Sequence, residues 1–103
     1  MNEFIKQLLF CIAKITEVPA AEIVSTSRKE ETVVARKLFV LFARHYGIST
    51  DTIAKILKIT TAGVRNITKA INTQEKTKIF KIYCYQIKKE LETNHAVPLL
   101  AKV

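Results

Sequence analysis

Two glycines and two prolines in 103 residues leave this chain almost nothing with which to reverse direction sharply. An all-β sandwich needs frequent tight turns, and those turns draw on Gly, Asn-Gly or Pro to reach their backbone angles. P-loops and dinucleotide-binding turns need glycine where backbone meets phosphate. Both classes are excluded on this ground, and an all-α domain with short links is expected. A chain of 103 residues suits one domain with one core. Its apolar share of 49% and charged share of 25% are those of a globular chain rather than a disordered one.

The hydrophobic spacing predicts about six helices. Phe4, Ile5, Leu8, Leu9, Ile12 and Ile15 recur at helical intervals over residues 3–16. Val18-Pro19 ends that run, and Pro19 is expected to open a short helix over 20–24 from its first position. Ser27 followed three residues later by Glu30 reads as a capping box for a central helix over 30–46. Val33, Val34, Leu38, Phe39, Val40, Leu41 and Phe42 nearly encircle that helix, so neighbours must cover most of it, and Gly47 supplies its left-handed stop.

Ser49 can cap a helix over 50–57, and Thr60 or Thr61 another that runs to Ile71. Asn72 with Glu75 offers a further start, for a last helix over 73–92. The run KIFKIYCYQI within it is rich in strand-favouring residues, but no turn residue interrupts 73–93. The same absence argues against a winged domain, which needs a hairpin there. Residues 1–92 therefore read as one helical domain, and 93–103 as a tail whose Val97, Leu99 and Leu100 are apolar enough to dock.

The net charge of +8 is unevenly placed. Residues 36–89 hold twelve basic side chains against Asp51 and Glu75, whereas both flanking segments are slightly acidic. Such a concentration attracts phosphate polyanions or anionic headgroups. No apolar run approaches the length of a membrane span. The lysines of the last helix, Lys76, Lys78, Lys81, Lys88 and Lys89, are spread around it rather than gathered opposite one apolar face, which disfavours a membrane-surface role. Cys11 and Cys84 lie in apolar surroundings without a Cys-x-x-Cys pair, and read as buried thiols of a cytoplasmic protein. Neither they nor His45 and His95 form a local ligand pair or sit by a candidate nucleophile, so no cofactor, no metal, no small-molecule substrate and no enzymatic activity is expected.

The functional signal is TDTIAKILKITTAGVRNITKAI, residues 50–71. Two short helices can hold the helix-turn-helix angle when the first carries a small residue at the crossing and both carry apolar residues along it. Ala54 meets the first condition, and Ile53, Leu57, Ile59, Val64 and Ile67 the second. Lys58 occupies the turn position where glycine is common, so the turn has another shape or the lysine is left-handed. Thr60, Thr61, Ala62, Arg65, Asn66 and Lys69 then point outward, residue types suited to base edges and phosphates in a major groove. Lys55 and Lys58 would hold the backbone. Double-stranded DNA is the expected partner, in transcription or replication control; a protein-interaction module of the same fold is the alternative.

SRKEETVVARKLFVLFAR (residues 27–44) with the segment that follows resembles the C-terminal DNA-binding domain of the bacterial replication initiator DnaA, a helix-turn-helix fold grouped with the Trp repressor. The resemblance spans about Phe4 to Leu91. It implies a nucleoid-associated role, with Arg28 and Lys29 as loop contacts to DNA and Arg36 as a minor-groove or phosphate contact. The family's recognition helix opens on Gly-Gly-Arg-Asp-His-Thr-Thr-Val, whereas this chain has Lys58-Ile59-Thr60-Thr61-Ala62-Gly63-Val64, without the Arg-Asp-His trio. No ATPase module is expected within these 103 residues. A module this small needs two copies for strong specificity, and the last helix and tail are the expected homodimer contact.

Overall fold

The computed structural model describes residues 3–74 and 77–93. Among them are six helices and no strand: α1 Glu3–Thr16, α2 Ala20–Ile23, α3 Glu30–His45, α4 Thr50–Leu57, α5 Thr61–Gln74 and α6 Lys78–Thr93. The run KIFKIYCYQI is helical, as the lack of turn residues requires.

The first connection departs from expectation. Glu17 takes a left-handed φ of 61° at the end of α1. Pro19 is extended (φ −56°, ψ 142°) and lies just outside α2 rather than in its first position. Its carbonyl accepts from the amides of Glu22 (2.9 Å) and Ile23 (3.1 Å), so the proline starts the helix through its oxygen.

The capping box at Ser27 does not form. α3 begins at Glu30 with Lys29 in the cap position and no side-chain cap. The Ser27 hydroxyl instead accepts from the Lys29 amide at 3.3 Å, a local turn that competes with capping. The far end of α3 is as expected. Gly47 sits at φ 85°, its amide donates to the Arg44 carbonyl, and the Ile48 amide donates to that of Ala43, the two bonds of a Schellman stop.

α4 has the expected bounds, with the Ser49 hydroxyl accepting from the Thr52 amide at 3.2 Å. α5 continues through Asn72 and Thr73 to Gln74, so no helix starts at Asn72. α6 starts later than expected, where Thr77 Oγ1 accepts from the Phe80 amide at 3.4 Å. Glu75, Lys76 and the tail over 94–103 lie outside the described residues; Thr93 is the last residue of α6.

α3 is the centre of the molecule. Ala35, Leu38, Phe39, Val40 and Ala43 are wholly buried on it. α1 packs on α2, α3 and α6, while α5 packs on α3 and α4. Each fully buried Leu, Ile or Phe contributes about 1.5–3 kcal/mol relative to exposure. Leu8, Ile12, Ile23, Ile53, Leu57, Val64, Ile87 and Leu91, fully or almost fully buried, tie every other helix to the α3 core. The radius of gyration is 12.6 Å, against about 13 Å for a compact 100-residue domain. α5 is thereby held at one side of α3 with its outer face uncovered.

Candidate nucleic-acid interface

α4 packs on α5. Ile53, Ala54 and Leu57 of α4 and Val64 of α5 are all buried in the one core, with Ile59 and Ile67 half-buried against it. The turn between the two helices is closed by Lys58, which is left-handed (φ 59°, ψ 42°). The Ile59 amide donates to the Ala54 carbonyl at 3.0 Å, so the chain makes a glycine-type stop with a lysine. Thr60 follows as the cap of α5, its Oγ1 accepting from the Gly63 amide at 3.0 Å.

α5 presents Ala62, Arg65, Asn66 and Lys69 to solvent, at positions i, i+3, i+4 and i+7 of one face. Thr60 is exposed too, though its oxygen already serves the backbone, and Thr61 is half-buried rather than outward. Lys55 and Lys58 are exposed on α4 and in the turn that leads to α5.

Arg36 has an internal occupation that the sequence does not reveal. Its Nε donates to the Ile23 carbonyl at 3.1 Å, and its Nη2 to those of Ser25 (2.6 Å) and Ser27 (3.1 Å). The resemblance implies a minor-groove or phosphate contact for Arg36; in the fold the side chain clasps the backbone of the α2–α3 loop. Arg28 and Lys29, both exposed, leave the fold directly after the clasped segment. Lys29 Nζ lies 3.8 Å from Glu22, whose carboxylate also accepts from buried Thr32 at 2.7 Å.

A groove of about 200 Å³ joins these parts, with Val33, Arg36 and Lys37 of α3 on one wall and Asn66, Ile67 and Ala70 of α5 on the other. The base-reading candidate Asn66 therefore neighbours the arginine that holds the basic loop. Lys37 was overlooked by sequence reasoning. The signal was present: 33, 36 and 37 share one face of α3, as 66 and 70 share one face of α5.

Elsewhere the chemistry is quiet. Cys11 is buried and Cys84 half-buried, both as free thiols, so Cys84 is less enclosed than its surroundings in sequence predict. Burial, with Glu90 nearby, pushes the Cys11 thiol up to about 11, and burial raises Cys84 too, so both stay protonated at neutral pH. His45 stands edge-on to Tyr46 with ring centres 4.9 Å apart. Among the described residues no three His, Cys, Asp or Glu side chains gather as a metal site, and no helix is long and apolar enough to cross a membrane. No family model, curated protein or solved structure matches this chain.

Proposed function

We propose that this protein is a double-stranded DNA-binding module in which α4, the Lys58 turn and α5 act as a helix-turn-helix, like the C-terminal domain of the bacterial replication initiator. The observation that carries the reading is the exposed stripe Ala62, Arg65, Asn66 and Lys69 on a helix braced from behind by α3 and α4. A reading helix needs a rigid support and an uncovered polar face, and α5 has both. Arg65 suits guanine and Asn66 suits adenine in bidentate geometry, and Ala62 suits a thymine methyl. Lys69, Lys55, Lys58, Arg28 and Lys29 supply phosphate contacts on either side. Arg36 serves this surface chiefly by fixing the loop that carries Arg28 and Lys29.

The test is a selection of duplexes from random DNA at two salt concentrations, followed by titration of the selected sequence. Affinity should fall steeply with salt, and Lys29→Ala should weaken all duplexes alike while reducing the salt slope by about 1. Arg65→Ala and Asn66→Ala should instead relax the sequence preference, at about 1–3 kcal/mol for the base concerned. No bound duplex at low salt, or Arg65→Ala and Lys29→Ala behaving alike on every sequence, would overturn the assignment of α5.

A further inference from the structure

α6 carries a second surface, away from α5. Ile82 is 43% exposed and Tyr85 63% exposed. Beside them a groove of about 300 Å³ opens between α3 and α6, floored by Leu41, Phe42, Tyr46 and Cys84. Tyr85, His45 and Lys88 form its rim. Lys89 Nζ stands 5.8 Å from the centre of the Tyr85 ring, and Lys78 and Lys81 are exposed along the same helix. Against these four lysines α6 has two acids: Glu90 is held by Lys14 at 3.0 Å, and Glu92 lies close enough to Tyr46 to help burial raise its phenol. The acidic side chains Glu30 and Glu31 line a different groove, at the Ile79 end.

We infer that the α3–α6 groove docks a protein segment with an apolar or aromatic anchor flanked by acidic residues. The floor supplies apolar burial for the anchor, Tyr85 an exposed aromatic wall of the kind enriched at binding hot spots, and the lysines the charge to be matched. A second copy of this chain would set lysines against lysines. A bilayer would need apolar and cationic faces to separate, whereas Lys78 and Lys89 share one ridge of α6 with Ile82 and Tyr85 between them. The charge pattern therefore favours an acidic partner segment.

The test uses the full chain and two fluorescein-labelled synthetic helical peptides. One places Leu and Phe on a single face with Glu elsewhere, and the other replaces each Glu with Lys. The acidic peptide should bind, and the lysine peptide should bind at least about tenfold more weakly. Tyr85→Ala and Lys88→Glu should each weaken the acidic peptide by about tenfold. Lys69→Ala and Arg65→Ala should leave it unchanged, which separates this groove from the α5 face. Tyr85 is largely exposed, so its substitution leaves the fold intact, and melting curves of each variant check this. Equal binding of the two peptides, or loss of binding on Arg65→Ala but not on Tyr85→Ala, would overturn the proposal. So would Tyr85-dependent binding to phosphatidylserine vesicles without peptide binding, Tyr85-dependent self-association, or nuclear Overhauser contacts from Leu99 or Leu100 methyls to the Tyr85 ring in the free protein.

Discussion

Arg36 donates through Nη2 to the carbonyl of Ser25 at 2.6 Å, across eleven residues of chain. Two further carbonyls share the guanidinium. Removing it leaves three part-buried acceptors without their donor, so Arg36→Ala should cost roughly 1–3 kcal/mol. Arg36→Lys should recover only part of this, because an ammonium cannot reproduce the planar fork. Hydrogen exchange checks the mechanism: amides of residues 25–29 should lose protection before those of α3.

Lys58 holds a left-handed backbone that glycine adopts freely. Lys58→Gly should raise stability by roughly 0.5–1 kcal/mol. Thermal melting reads this as about 4–8 °C per kcal/mol for a domain this size. The same variant lacks a proposed phosphate contact, so it should melt higher and bind DNA less tightly. A lower melting temperature would show that the lysine side chain stabilises the turn.

Ala54 is the small buried residue of α4, which packs on α5, and it is 5% exposed. Ala54→Leu should push the two helices apart and cost about 1–3 kcal/mol by overpacking. Urea titration should show a lower midpoint with an unchanged slope. Ala54→Gly removes one buried methyl without crowding the helices and should cost about 1–2 kcal/mol, from helix propensity and lost burial together.

The Cys11 thiol titrates at about 11 in the folded protein, against an ordinary value of 9.0, chiefly because burial disfavours the thiolate. Below pH 9 the thiol is protonated in both states and contributes no pH dependence. Between pH 9 and about 11 the unfolded chain releases the proton first, so stability falls as pH rises. Cys11→Ser should flatten that part of the stability profile. At neutral pH, thiol reagents should modify half-buried Cys84 before Cys11.

What the sequence discloses here is what short-range chemistry decides. The bounds of α4 were legible because Ser49 and Lys58 act on backbone groups within five residues of themselves. The outward stripe on α5 was legible because about half a helical turn separates Ala62, Asn66 and Lys69 from buried Val64 or Ile71, and Arg65 falls on the same side as they do. Ser27 misled because its hydroxyl had a nearer amide to serve, that of Lys29. Asn72 resembled a helix start, yet α5 runs on past it and Thr77 caps the next helix. The clasp of Arg36 was illegible for a different reason. Its partners are backbone carbonyls, which carry no mark in a sequence, and their approach depends on how α2 settles against α3.

α4 has only eight residues, well below the roughly 12–15 at which an isolated helix persists in water. It holds its helical form by packing, most extensively on α5 and to a smaller extent on α3, while α5 packs on α3 as well. The α5 face therefore exists only while these helices are docked, and any ligand of that face should delay melting of the whole molecule.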